Sequence, residues 1–185
     1  MTEIVRVLRL LLLGLWLGAA IFFGAAVAPA LFSVLRAANL ANANELAGTI
    51  VSRLLSIINR GGFEIGLFLI VTGYFTTRTE SRLRRGAEMI SLAILAIMTG
   101  VGHWVIAARM VALRVAMQGQ IDQIALGDPR RISFDSLHGY SVTVMGIAMV
   151  AGLVAFVIMA RGSSPTVREG LRFGREFQHG NHRTA

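Results

Sequence analysis

The stretch FDSLHGYS, residues 134–141, opens the last long apolar run of the chain, residues 142–160. Asp135 and Ser136 are predicted to cap the start of a helix, because their side-chain oxygens can accept hydrogen bonds from free backbone amides. His138 then lies just inside the predicted start, where hydrocarbon gives way to headgroups. The run is close to the ~20 residues that a helix needs to cross the hydrocarbon core. The stretch therefore predicts that the chain enters a membrane here.

The composition also indicates a membrane protein. The 185 residues are 55% hydrophobic and 15% charged, with a mean hydropathy of +0.65. A soluble domain of this length cannot bury so much apolar surface. The net charge of +8 comes from 18 basic residues, all of them arginine. These arginines flank apolar runs, as topology signals do, so nucleic acid is not an expected partner and the lipid bilayer is.

Four apolar runs predict four membrane spans, at about residues 8–35, 63–77, 87–108 and 137–160. Residues 37–59 show apolar side chains at helical spacing, which predicts an amphipathic helix along the membrane interface. An extension of the second span explains the same pattern equally well, and Gly61 and Gly62 are a candidate hinge. The predicted fold is an all-α, four-helix transmembrane bundle with an interfacial amphipathic helix between spans 1 and 2.

The arginines near the span ends predict the orientation. Those of the N-terminus, of the loop at residues 78–85 and of the tail lie on one side of a four-span protein. By the positive-inside rule, both termini are cytoplasmic in the inner (plasma) membrane. Residues 1–160 form the predicted four-span membrane domain, and residues 161–185 form a basic, disordered cytoplasmic tail. Its arginines are expected to contact anionic lipid headgroups, at about 1 kcal/mol each near the surface.

Three ionisable residues fall in the outer part of the bilayer in this orientation: Glu64, His103 and His138. Polar groups at such depth usually face the bundle interior. His103 and His138 on adjacent helices can present two imidazoles to one metal or haem iron. Glu64 adds a carboxylate or accepts the second N–H of one histidine. The alternative interpretation is that each histidine packs at the interface with one hydrogen-bond partner.

A second pattern combines histidine with methionine. His138, Met145 and Met149 stand at i, i+7 and i+11, near one helix face. Thioethers and imidazoles suit copper(I), whereas methionine also fills irregular gaps in apolar cores. On the outward side, Arg109 and Arg114 are predicted to pair with the connector acids Asp122, Asp128 or Asp135.

Motifs of common enzyme classes are absent from the sequence. It contains no Walker loop, no dinucleotide fingerprint, no HExxH and no GxSxG, and the lack of cysteine excludes thiolate ligands and a cysteine nucleophile. Enzymatic activity is therefore not the expected function.

Several stretches resemble a known family. Residues 15–18 (LWLG) and 27–32 (VAPALF) are similar to the first span of the domain-of-unknown-function 4149 family, related to transmembrane protein 205. Residues 109–114 (RMVALR) and 134–142 (FDSLHGYSV) are similar to its third- and fourth-helix pattern. That pattern often continues with a small polar residue or Leu and then Asn, where this chain has Thr143 and Val144. The resemblance covers about residues 8–160 and implies a four-helix membrane protein of unassigned activity.

A more distant similarity connects the chain to copper-resistance-D-like and protoporphyrinogen-oxidase-like membrane bundles, in which helix histidines hold metal or haem. It implies a ligand role for His103 and His138. Three functions follow as expectations from the sequence as a whole. The favoured one is a structural or accessory bundle in a homo-oligomer or with a partner membrane protein. The other is a haem- or copper-binding membrane protein, and a haem-based membrane oxidoreductase is a third, more remote one.

Overall fold

A computed structural model describes residues 2–40, 42–76, 81–117, 123–125 and 127–161. The first crossing unit comprises α1 (Thr2–Phe22), a π-helical turn (Phe23–Val27) and α2 (Ala28–Ala37), and the second is α3 (Ala43–Thr76). The third comprises α4 (Arg82–Gly100), a π-helical segment (Val101–Ile106) and α5 (Ala107–Ala116), and the fourth is α6 (Pro129–Arg161). All four units are long and apolar enough to cross a membrane. The predicted all-α four-helix bundle is confirmed, and the chain is a multi-pass membrane protein.

The helices run alternately up and down. Near the start of α1, Arg9 donates a hydrogen bond to the carbonyl of Leu69, close to the end of α3. Arg84, at the start of α4, donates to the carbonyl of Ile158, close to the end of α6. These four helix ends therefore lie together at what we term the N-terminal end of the bundle. The start of α3, α5 and the start of α6 form the opposite end.

The predicted interfacial helix is absent as a separate element, because α3 continues through both candidate hinge glycines. A Cβ atom on Gly62 would lie 2.7 Å from both Thr99 Cγ2 and Trp16 Nε1. Gly62 thus permits close approach of neighbouring helices and is a packing position within a continuous helix, not a hinge. The alternative, that residues 37–59 extend the second span, is correct from Ala43 onward, where α3 begins.

Helix α6 starts earlier than predicted. The backbone N–H of Arg130 donates to Asp128 Oδ1 at 2.8 Å, and Pro129 occupies the first helical position, where its fixed φ suits a helix start. Asp128 is therefore the cap, and the capping role predicted for Asp135 and Ser136 is wrong. Ser136 instead donates to a backbone carbonyl one turn earlier, at 2.9 Å.

The core lies between the middle portions of the four crossing units. Its fully buried side chains include Leu13, Leu69, Leu92, Leu95 and Ala148. Trp16 joins two units, because its Nε1 donates to the carbonyl of Ile58 at 2.9 Å. Residues 162–185 lie outside the described residues, so the domain boundary and the disordered tail stay predictions.

The two π-helical segments have different surroundings. The first ends just before Pro29, whose ring clashes with the preceding turn of a regular helix and which lacks an N–H donor. A wider turn accommodates that residue. The second contains His103. Single π turns inside α-helices frequently occur at functional sites.

Candidate binding cavity

One face of α3 carries a regular series of polar side chains. They stand at i, i+4, i+7, i+11 and i+14, which places them in one row along the helix, and we term them the polar stripe: Glu45, Thr49, Ser52, Ser56 and Asn59. Apolar Leu46 and Ile57 on other faces are exposed. Because lipid cannot satisfy polar groups, such a stripe turns toward the bundle interior. This inward-facing stripe is what gave residues 37–59 their amphipathic pattern.

The polar stripe lines two adjoining cavities between α3, α5 and α6. The larger has a volume of about 340 Å³ and reaches Asn59 and Gly102. The smaller, of about 180 Å³, reaches Glu45 and Phe134. Both are lined by Val51, Ser52, Met110, Arg114 and His138. The larger volume falls within the ~300–1,000 Å³ typical of small-molecule pockets.

Arg114 holds the opposite end of the bundle together. Its Nη1 donates to Thr49 Oγ1 at 2.7 Å and lies 3.5 Å from Glu45 Oε1, and its guanidinium stands 5.6 Å from the Phe134 ring centroid. A Cβ atom on Gly48 would lie 3.1 Å from Arg114 Nη2, so a glycine makes room for this side chain. Arg114 thus pairs with α3.

The predicted pairing of Arg114 with the connector is not found among the described residues. Asp128 pairs with Arg130 instead, at 2.7 Å, because the two flank the capped start of α6. Asp135 lines the smaller cavity, and Asp122 lies outside the described residues. The half-buried Glu45 is the anion that Arg114 meets.

Asn59 is the most buried member of the polar stripe and lies at the centre of α3. Its side chain is 3% exposed, and Oδ1 has no hydrogen-bond partner among the described residues. The amide packs against Gly102, where a Cβ atom would lie 3.0 Å from both Nδ2 and Oδ1. An unsatisfied buried polar group costs about 1–3 kcal/mol. Asn59 also lines the larger cavity, but its Oδ1 atom is itself inaccessible.

The structure brings both predicted histidines toward this cavity in different ways. His138 is exposed and lines both cavities. His103 Nδ1 lies 3.1 Å from the hydroxyl of Ser56, which is a lining residue, and its ring meets Trp104 edge-on at 4.8 Å. Glu64 is not part of the group, because it is exposed and pairs with Arg60 at 2.8 Å.

The methionines of the predicted copper pattern lie elsewhere on α6. Met145 is buried in the core and Met149 packs against it. At 1.5 Å per residue they lie about 10 and 16 Å along the axis from His138. Within the described ranges, no group of three or more His, Asp or Glu side chains is placed to hold a metal ion. Haem or copper binding stays a prediction.

A second buried polar region lies at the N-terminal end and was missed from the sequence. Arg9 Nη2 stands 2.5 Å from Glu88 Oε1 and 3.1 Å from the carbonyl oxygen of Leu69. The Arg9 and Glu88 side chains are only 4% and 5% exposed. A Cβ atom on Gly73 would lie 2.7 Å from Arg9 Nη2. Arg9 was interpreted from the sequence as a topology signal. Glu88, at the start of the third predicted span, was the signal for a buried partner, because charged residues inside a span usually pair with one another.

Comparisons with known proteins assign the chain to a family. No match was found among curated proteins or among solved structures. A family model matches residues 11–119, more than half of the chain, and includes the polar stripe, His103 and Arg114 but ends before α6. The chain belongs to the family described as Domain of unknown function (DUF4149).

Proposed function

We propose that the protein is an accessory helical bundle of the membrane, which acts through helix contacts with a second copy or with a partner membrane protein. The observation that carries this proposal is a groove of about 530 Å³ between α4 and α6. Its lining includes the small residues Ser91, Thr143, Gly146 and Ala151. Space is open around Gly146, where a Cβ atom would meet nothing within 4 Å. Small residues let a neighbouring transmembrane helix approach closely, and its packing then stabilises the contact.

Disulfide cross-linking tests this proposal. The chain contains no cysteine, so a single introduced cysteine is its only thiol. We expect Gly146→Cys to cross-link in native membranes, either to a second copy or to a different protein of distinct mass. Ile57→Cys is the matched control, since Ile57 is exposed near the middle of α3. Equal yields at the two positions, or none at Gly146, would contradict the proposal.

For the location, we propose the inner (plasma) membrane with both termini cytoplasmic. The support is that the start of α1 and the end of α6 share one end of the bundle with the start of α4. Arg82, Arg84 and Arg85 stand at the start of α4, and Arg161 stands at the end of α6, which is the arginine pattern of a cytoplasmic side. The tail arginines would contact anionic headgroups there. Reporter fusions after residues 80 and 161 test the orientation, and an external signal from either would refute it.

A second candidate function is haem or copper binding through His103 and His138. The observation in its favour is that His138 lines the cavity and His103 adjoins it through Ser56. The donor chemistry fits, since two neutral imidazoles can ligate haem iron or copper. Absorption spectra and metal analysis of protein from cells supplied with haem and copper test it. A Soret band or stoichiometric copper that is lost in His103→Ala and His138→Ala supports this function, and a colourless, metal-free preparation contradicts it.

A further inference from the structure

We propose that the larger cavity binds an anionic amphiphile, a single apolar chain that ends in a carboxylate or phosphate group, with the anionic group beside Arg53 and Arg114. The charge of the lining is the first support. Among the described residues, the charged side chains that line this cavity are these two arginines, and no carboxylate lines it there. His138, which also lines the cavity, is either neutral or positive. The cavity is therefore complementary to an anion.

Both arginines have hydrogen-bond donors available for a ligand. Arg53 is exposed and forms no ion pair or hydrogen bond with any described residue. Arg114 meets Thr49 and Glu45 through Nη1 alone, and a guanidinium carries five N–H donors. Glu45 lines the smaller cavity and offsets part of the charge of Arg114, so Arg53 supplies the net positive charge. The planar guanidinium group matches the geometry of carboxylate and phosphate oxygens.

The basic side chains lie at one end of the cavity. Arg53 precedes Leu55 on α3 and is therefore nearer the opposite end of the bundle, where α3 starts. Arg114 follows Met110 on α5, which runs toward that same end. His138 lies near the start of α6 at this end as well. All three helices thus place a basic side chain toward the membrane surface and leave the rest of the lining for an apolar chain.

The inner part of the lining and the size of the cavity define the chain of the ligand. This part contains apolar side chains from two helices: Leu55, Ala107, Met110 and Val111. The Ser56 hydroxyl lies 3.1 Å from His103 Nδ1 and is engaged there. From Thr49 to Asn59 the lining extends about 15 Å along α3, at 1.5 Å per residue. A volume of about 340 Å³ is at the lower end of the range for small-molecule pockets, which suits one chain rather than the two of a bilayer phospholipid.

The test uses the full-length protein in nanodiscs of zwitterionic lipid and a dodecanoate analogue with a photoreactive diazirine on its chain. After illumination, mass spectrometry of the digested protein maps the labelled residues. We expect labelling within residues 49–59 of α3 and 107–111 of α5, which line the cavity.

Three competitors of similar chain define the recognised group: dodecanoate, dodecyl phosphate and the neutral ester methyl dodecanoate. They are compared at equal concentration in the bilayer, which is measured with empty nanodiscs. We expect the stronger of the two anions to compete at least about tenfold better than the ester, because hydrogen bonds between ionised groups are stronger than neutral ones. Stronger competition by dodecanoate identifies a carboxylate ligand, and stronger competition by dodecyl phosphate identifies a phosphate monoester.

Two arginine variants locate the anionic group. Arg53→Gln removes the charge of an exposed side chain without a partner in the described chain, so the fold should persist. It should weaken competition by the preferred anion about tenfold and leave that of the ester unchanged. Arg60→Gln is the matched control, because Arg60 lies two turns further along the same side of α3, already pairs with Glu64 at 2.8 Å, and does not line the cavity. It should change neither affinity.

A third variant locates the chain. Ala107→Phe fills the apolar part of the cavity from α5 and should lower labelling and the affinity for all three competitors. Labelling confined to other parts of the protein, equal competition by the ester and both anions, or equal effects of Arg53→Gln and Arg60→Gln would each overturn the proposal. The groove between α4 and α6 takes no part in these measurements, so their outcome is independent of the cross-linking test.

Discussion

The bundle has two buried polar regions, one at each end, and their polar side chains are paired differently. At the N-terminal end, Arg9 Nη2 lies within hydrogen-bond distance of the Glu88 carboxylate and of the Leu69 carbonyl oxygen, so the buried cation is paired with an anion. At the opposite end, Arg114 is likewise tied to α3, but the polar stripe continues inward to Asn59, whose Oδ1 has no partner in the described chain. The charge pair ties helices together, whereas the polar stripe ends in a buried amide oxygen that no described residue uses.

The largest expected effect comes from breaking the pair at the N-terminal end. Glu88→Gln keeps the shape of the side chain but leaves the buried Arg9 cation without its anion. Removing one partner of a buried pair costs about 3–5 kcal/mol. We expect that loss in the free energy of unfolding, measured by reversible denaturant titration in micelles.

Glu64→Gln is the matched control for this variant. Glu64 pairs with Arg60 at 2.8 Å, but the two side chains are 60% and 68% exposed, and exposed pairs contribute under about 1 kcal/mol. The double variant Arg9→Met, Glu88→Leu should recover most of the loss, because it leaves no buried charge unpaired. Similar losses of unfolding free energy for Glu88→Gln and Glu64→Gln would show that the buried pair stabilises the fold no more than the exposed pair does.

The next largest loss of stability is expected where Gly62 of α3 packs against two neighbouring helices, between the two polar regions. Gly62→Ala places a methyl group 2.7 Å from Thr99 Cγ2 and Trp16 Nε1, and such overpacking typically costs about 1–3 kcal/mol. Gly61→Ala, one residue earlier, meets nothing within 4 Å and should be neutral or slightly stabilising, because alanine favours a helix. The same unfolding titration compares them. A hinge at this glycine pair would instead make both substitutions alter the protein similarly.

The fold was largely predictable because apolar length alone requires spans in a membrane protein. The interfacial helix was the exception. Residues 43–59 have an amphipathic pattern, and periodicity cannot distinguish a polar face turned to water from one turned to a neighbouring helix. The answer depended on Arg114 in α5, which gives Glu45 and Thr49 an interior partner.

The site was less predictable, since it depends on which faces meet. His103 and His138 were singled out as rare residue types, and the structure associates both with the cavity. Asn59 was passed over because a single asparagine in an apolar run carries no chemical pattern of its own. Its spacing from Ser52 and Ser56 was visible in the sequence, and this row of polar residues is the feature that identifies the lining. Burial and the missing partner required coordinates.

Replacing Asn59 should change the free energy of unfolding by a smaller amount and in the opposite direction. Asn59→Leu removes a buried acceptor that no described residue satisfies. Replacing such a group by an apolar one of similar size is nearly neutral or stabilising. In the absence of added ligand, we expect the free energy of unfolding to stay within about 1 kcal/mol of wild type or to rise. A loss as large as that of Glu88→Gln would mean that Asn59 is a structural tie like the pair at the N-terminal end.

The smallest effect lies outside both regions, at the capped start of α6. The side-chain hydrogen bond from Arg130 lowers the pKa of Asp128 from 3.8 to about 2. Because the folded pKa is the lower one, the ionised carboxylate stabilises the folded state above pH 3.8, and this contribution is lost as the pH falls through about 2. Asp128→Asn keeps a capping side chain but loses the charge. The difference in Tm between wild type and Asp128→Asn should therefore be full above pH 3.8 and shrink between that value and about 2.

Repeating the comparison in an Arg130→Gln background provides the control, because without the guanidinium the difference should be small at every pH. A difference that persists unchanged in that background would assign the effect to the cap alone, and the ion pair would then contribute nothing measurable to where α6 begins.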